Sequence, residues 1–258
     1  MTLAAFFLLS IATSWACWVP LVLDDATISA PLWRVQLGAL GPLLAVAALL
    51  ARPAQREQRA AFWQRLTQPR RLLSAGGLLA VMVPAAILFA ARGTWHAAGG
   101  IALPAIGMAE FLPLAGALFL LGVVPEELAW RGYALPEWLK ARDPISVALL
   151  LGLAWNIWQL PLFLVPGSYQ SALGSAAGLL HAINIMAESL LMCALYRLSG
   201  SVWTALVFRG MTALAGEIWQ LPVAVELHRY LWTIAAALVV LTQPRLFRMA
   251  EPVQSRAG

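Results

Sequence analysis

Charge is scarce in this chain. Of its 258 residues only 11% are Asp, Glu, Lys or Arg, against 61% hydrophobic. A soluble domain carries roughly a quarter charged residues, so this shortage, with a mean hydropathy of +0.78, excludes an ordinary water-soluble domain. Cysteine is nearly absent. Cys17 and Cys193 lie inside separate apolar runs with no CxxC spacing, which leaves no disulfide framework and no zinc knuckle. Basic residues are missing ahead of the first apolar stretch. The "SWAC" at 14–17 has the look of a lipoprotein cleavage site, but the basic n-region of a signal peptide is lacking. Residues 3–23 are therefore expected to be a retained first helix.

What the chain does have is apolar runs of about 20 residues, the length that crosses a bilayer as a helix. Eight can be drawn: 3–23, 32–51, 72–92, 103–125, 144–166, 172–198, 201–219 and 226–242. The net charge of +5 could suggest a nucleic-acid partner, but the excess is local: Arg52, Arg56, Arg59, Arg65, Arg70 and Arg71 share one loop. Cytoplasmic loops of membrane proteins are enriched in this way, so no nucleic acid is expected. Alternation from that loop puts both termini inside, Asp24 and Asp25 outside, and residues 126–143 with Arg245 and Arg248 inside. The expected class is all-α, a polytopic membrane protein of about eight transmembrane helices with both termini cytoplasmic, multi-pass in the cell membrane and in contact with its lipids. Three parts are expected: N-terminal helices over 1–100 with the basic loop 52–71, a core over 101–245, and a tail over 246–258. Within the loop, "REQRAAFWQRL" sets Phe62, Trp63 and Leu66 on one side. That suits a short amphipathic helix on the inner leaflet, or a loop anchored by its aromatics. The twelve tryptophans suit membrane interfaces. The pentapeptide "IWQLP" occurs at 157–161 and 218–222, and two copies define no repeat period.

The stretch "GVVPEELAWRGY", residues 122–133, is where charge breaks into the apolar pattern. One reading is structural: Pro125 followed by two acids suits a helix start. The other is functional, because carboxylates at a bilayer are costly. On a helix Glu127 and Arg131 are four apart in the favourable order for an ion pair, while Glu126 is turned about 100° away. One acid can thus be held by Arg131 while its neighbour meets a different environment, where a poorly solvated carboxylate can act as a general base on water.

Three stretches together resemble the CPBP family of intramembrane proteases, which includes CAAX prenyl endopeptidases and bacteriocin-processing, self-immunity proteins. "EELAWR" matches the EExxxR motif. "GLAWNIWQLPLF" resembles the second motif, an aromatic residue followed four positions later by histidine. "SGSVWTALVFRGMTALAG" is similar to the last motif, a histidine followed four positions later by Asn. The resemblance spans roughly residues 105–217. It implies a peptide-bond hydrolase acting on a membrane-associated or lipidated substrate, with Glu126 activating water, Glu127 and Arg131 supporting it, and a cavity open to the cytosol. Trp155 holds the aromatic position of the second motif. The departures are specific: Gln159 stands where the second motif has histidine, Arg209 where the last has histidine, and Ala213 where it has Asn. Gln can donate a hydrogen bond but takes no proton at neutral pH, and Arg is no base. Arg209 could stabilise negative charge or pair with Glu126. Glu126 without imidazoles is a poor zinc site, so neither metal nor other cofactor is expected.

His181, Asn184 and Glu188 fall on one face of the sixth segment, at the depth of Gln159. They suit a helix-packing seam or a relocated base. His96 and His228 are expected in outer loops, and Glu110 and Glu217 are intramembrane acids without motif support. Three functions stay open. The first is an intramembrane endopeptidase acting on a membrane-anchored peptide or protein. The second is a catalytically inactive relative serving as scaffold, chaperone or immunity protein. The third, a transporter, would show paired broken helices in matching halves, and no such pair is evident.

Overall fold

The computed structural model describes residues 3–23, 32–100, 108–219 and 223–247. The described residues are all-helical. Helix α1 (Leu3–Leu23) is followed by α2 (Leu32–Ala39) and α3 (Gly41–Leu50), which continue one another, then by the short α4 (Arg56–Leu66) and α5 (Ala75–Ala97). The chain then forms α6 (Met108–Leu118), α7 (Val124–Glu127) and α8 (Leu135–Trp138), with wider π-helical turns over Phe119–Val123 and Leu128–Ala134. The rods α9 (Pro144–Gln159), α10 (Gly174–Ser199), α11 (Val202–Trp219) and α12 (Val223–Leu241) complete the bundle.

Among the described residues five helices are long and apolar enough to cross a membrane: Leu3–Leu23, Trp33–Leu50, Ala75–Ala97, Pro144–Phe163 and Gly174–Ser199. The sequence suggests eight. The three rods outside that set are those carrying Glu126, Glu127 and Arg131, then Arg209, then Arg229. They place charge inside the bundle, and α12 keeps only a shorter apolar run, Leu227–Leu241.

The fourth expected segment is corrected most. It does not end at 125, and no helix begins at Pro125. Residues 108–138 form one continuous rod, and Glu126, Glu127 and Arg131 are buried in it rather than lying in a loop. Its prolines explain the geometry. Pro lacks an N–H and its ring collides with the carbonyl four residues back, and each of two prolines comes just after a π turn. The Val124 N–H reaches back five residues to the Phe119 carbonyl, ahead of Pro125. The Leu135 N–H likewise reaches the Trp130 carbonyl, ahead of Pro136. One wide turn relaxes the ladder where the proline would break it.

Close helix contacts fix the rods around the site. A Cβ on Gly152 would sit 2.8 Å from Met186 Sδ and 3.1 Å from its Cα, so α9 and α10 meet almost backbone to backbone, as small residues allow. Polar side chains stitch that seam: Ser189 Oγ donates to the Ala148 carbonyl at 2.7 Å and Asn156 Nδ2 to Ala182 at 3.1 Å. Helix α1 joins α9 through Trp15 Nε1 to the Trp158 carbonyl and Trp158 Nε1 to Ser14 Oγ, at 3.0 and 2.6 Å.

The basic segment forms a helix and docks on one end of the bundle. Of its three aromatic and aliphatic residues, Phe62 is buried and Leu66 packs on the core, while Trp63 is 58% exposed, so they do not share one face. Arg65 bonds the Gly132 carbonyl and pairs with Glu137. Trp203 Nε1 donates to Leu66, and Arg71 to Gly200, the left-handed residue that ends α10. Residues 137–143, 199–201 and the basic segment therefore share an end.

Among the histidines, His96 lies exposed in the last turn of α5. His228 is not in a loop: it is a partly buried residue of α12, its ring 6.1 Å from Trp95. The last three residues of the second "IWQLP" copy, Asp24, Asp25 and Arg248, together with the side chains of Glu110 and Glu217, lie outside the described residues.

Candidate active site

The three motif stretches converge on one cavity of about 480 Å³. Glu126, Gln159, Arg209 and Ala213 all line it, with Trp18, Gln36, Trp158 and the connection Gly167–Gln170. The rods bring them to a common depth. Glu126 lies twelve residues before Trp138 and Gln159 fifteen after Pro144, about 18 and 22 Å of helix from the same end. Arg209 approaches from the middle of α11.

Behind the cavity the two adjacent acids have different surroundings. Glu127 is fully buried and accepts a hydrogen bond from Arg131 Nη1 at 2.9 Å. The same-face spacing of the sequence produces that pair. Glu126 Oε2 has no hydrogen-bond partner; Arg209 Nη2 stands 3.8 Å away. Arg209 is shared, with Nε 3.9 Å from Glu127 and Nη1 3.6 Å from Glu188. Glu188 is held more firmly on its far side by Arg229 Nη1 at 3.0 Å and by Asn184 Nδ2 at 3.2 Å. Three carboxylates thus face three guanidiniums. Trp155 packs among them, its ring centroid 4.5 Å from the guanidinium carbon of Arg131 and 4.8 Å from that of Arg209, the range of cation–π attraction.

The seam expected on α10 is part of this assembly. Glu188 reaches Arg209, and His181 Nε2 lies 3.4 Å from Gln159 Oε1. His181 is not itself among the cavity-lining residues; Gln159 stands between. Its Nδ1 lies 2.9 Å from Tyr230 Oη, which in turn hydrogen-bonds Tyr169 Oη. Gln170 Nε2 also donates to Gln159 Oε1, at 3.4 Å. Gln159 Oε1 thus meets Gln170 and, in the tautomer protonated on Nε2, His181 as donors.

Arg229, Tyr230, Tyr169, Gln170 and Gln36 also meet at this site, and no motif in the sequence points to them. The only signal available was that Gln36 and Arg229 are polar residues in otherwise apolar runs. For a metal, the donor set does not fit. Among the described residues no three His, Cys, Asp or Glu are grouped to hold an ion, and the carboxylates face guanidiniums instead.

The profile of the family described as Type II CAAX prenyl endopeptidase Rce1-like matches residues 108–215, the span from the rod of Glu126 to just beyond Ala213. The chain is also similar to CAAX prenyl protease 2 of Methanococcus maripaludis, 24% identical over 228 residues that cover 81% of this chain and 82% of that one. With the motif positions gathered on one cavity of a helical bundle, the match places residues 108–215 in the Rce1-like CAAX prenyl endopeptidase (CPBP) family.

Proposed function

We propose that the protein is an intramembrane endopeptidase, multi-pass in the cell membrane, that hydrolyses a peptide bond in a membrane-anchored or lipidated substrate. The observation that carries this reading is the shared cavity: Glu126, whose Oε2 has no hydrogen bond, lines a site together with Gln159 and Arg209. Glu126 takes a proton from water as that water attacks the scissile carbonyl. The oxyanion is stabilised by the Gln159 amide N–H and the Arg209 guanidinium, donors of the kind that serve oxyanion holes. Glu126 then passes its proton to the leaving amine, so base and acid are one residue. In this mechanism the residues that replace the two motif histidines supply hydrogen bonds and charge, and the proton work falls to Glu126 alone. Glu127 and Arg131 fix the rod that carries it.

A second reading, binding without cleavage, is favoured by Arg209, which stands 3.8 Å from the one carboxylate the reaction needs. New peptide termini compared between membranes expressing the native protein and Glu126→Gln at matched levels decide between the two. Termini that vanish with Glu126→Gln support the endopeptidase and identify its substrate. Identical profiles overturn it in favour of the scaffold, chaperone or immunity role.

A further inference from the structure

Gln159 carries a side chain with two opposite faces. It is the last residue of α9, where the helix tightens into the turn Leu160–Phe163, and it lines the cavity. Its amide has an oxygen on one side and an NH2 on the other, so half a turn about the last bond exchanges acceptor for donor. An oxyanion needs the donor. A side chain free to turn would offer the wrong half as readily as the right one.

The amide is held by its oxygen. His181 Nε2 on α10 and Gln170 Nε2 in the connection after α9 each stand 3.4 Å from Gln159 Oε1. Turning the amide over would set its NH2 against the NH2 of Gln170, donor to donor. His181 is 8% exposed and Tyr230 is completely buried. The Tyr230 hydroxyl lies 2.9 Å from His181 Nδ1 and hydrogen-bonds the Tyr169 hydroxyl. Tyr169, like Gln159, lines the cavity. The polar chain thus leaves the wall at Gln159, passes behind it through His181 and Tyr230, and returns to it at Tyr169.

This chain has a direction. Gln159 Oε1 only accepts, so His181 must carry a proton on Nε2 to reach it. In the neutral ring Nδ1 then accepts from Tyr230, whose oxygen accepts from Tyr169. Aromatic rings also clamp the imidazole: the centroids of Tyr230, Tyr169 and Phe163 lie 5.5, 5.9 and 6.1 Å from its own. Two turns along α10 on the same face, Glu188 accepts a hydrogen bond from Arg229, the chain neighbour of Tyr230. Helix α12 therefore grips α10 at both levels with adjacent residues.

We propose that His181, backed by Tyr230, is a positioning residue: from behind the cavity wall it holds Gln159 by the side-chain oxygen and keeps that amide from turning over. His181 does not line the cavity, and it acts through Gln159. The glutamine at a histidine position of the second motif is thus supported by a histidine from a neighbouring helix, outside the three motif stretches. The part played in cleavage rests on the endopeptidase reading; the hold on Gln159 does not.

Ring NMR tests the hold without any substrate. The chain has three histidines, so in a background of His96→Gln and His228→Gln, with histidine isotopically labelled at the ring nitrogens, every ring signal in detergent belongs to His181. The expected ring is protonated on Nε2, and Gln159→Leu, which removes the acceptor, shifts that signal. A bare Nε2, or an Nε2 signal indifferent to Gln159→Leu, overturns the inference. In membranes that yield Glu126-dependent termini, His181→Phe is expected to lower the yield about tenfold or more, the cost of a misplaced group. His181→Gln, whose amide nitrogen stands near the place of the imidazole Nε2, should recover most of it. In a Gln159→Leu background His181→Phe should cost nothing further. An equal loss in both backgrounds marks a packing role and overturns the positioning one. Native membranes without Glu126-dependent termini remove the endopeptidase reading alone, and the ring signals then decide the hold on Gln159.

Discussion

Glu126 and Glu127 are neighbours in the chain with contrasting environments. Glu127 is completely buried, hydrogen-bonded to Arg131 four residues on, and has no share in the cavity wall. Glu126 lines the cavity and has no hydrogen bond on Oε2, with its nearest cation at ion-pair distance only. About 100° of helical rotation separates them. A buried carboxylate hydrogen-bonded to a guanidinium holds structure, because stripping that partner leaves a bare charge in a medium that cannot solvate it. Oε2 of both acids lacks a hydrogen bond, and it is the Arg131 bond to Glu127 Oε1 that distinguishes them. A carboxylate on a cavity wall, with its nearest cation 3.8 Å away, is placed to meet what the cavity holds. Two identical side chains thus differ in surroundings through the direction in which one turn of helix aims them.

The sharpest test of that contrast is Arg131→Ala, which leaves Glu127 alone in the interior. A loss of about 3–5 kcal/mol is expected, seen as failure to accumulate or as a large fall in Tm in detergent. Glu127→Gln in the same background should recover much of it. Arg209→Ala removes a cation with no hydrogen bond to any of its three carboxylates and should cost less, about 1–2 kcal/mol. Adding Glu126→Gln should return part of this, and strictly additive losses in that double-mutant cycle would refute the pairing. Equal damage from Arg131→Ala and Arg209→Ala would erase the distinction between the two acids. Glu126→Gln alone should cost less stability than Arg131→Ala, measured in the same melt, while abolishing the termini described above.

Asp143 supplies the smallest effect and an exposed reference outside the spans. Its carboxylate caps α9, accepting from the Ser146 N–H at 2.9 Å, and hydrogen bonds from Ser146 hold its carboxyl below the usual range. A carboxyl depressed by folding contributes stability above its unfolded value and loses it as pH falls through the folded one. Melting followed below about pH 4 should show a slight decline that Asp143→Asn, which keeps the cap without the charge, flattens.

Much of this was legible in the sequence, and the parts that were not have a common cause. Apolar run length located the rods, since a bilayer imposes one length on every crossing. Motif spacing brought Glu126, Gln159, Arg209 and Ala213 into one argument, and they do line one cavity. What failed was the interior of the fourth rod. Pro125 with two acids has the composition of a helix start, and only a π turn, which leaves no periodic trace in four residues, lets the helix pass through it. The α10 seam was placed at the right depth but kept apart from the site. Whether His181 touches Gln159, or Glu188 touches Arg209, depends on how two rods are rotated about their own axes, and that follows from contacts such as Gly152 on Met186 rather than from either helix alone. Arg229 and Tyr230 were missed for the same reason.

The place of Trp155 gives the molecule an internal optical gauge. Two guanidinium charges within 5 Å of one indole impose a local electric field on its excited-state dipole, so the colour of its emission depends on where those charges sit. A ligand that draws Arg209 toward itself would displace one charge and leave the other fixed by Glu127. The difference in emission between the native protein and Trp155→Phe, recorded as a candidate peptide is added, would therefore register engagement of the cavity before any bond is cut.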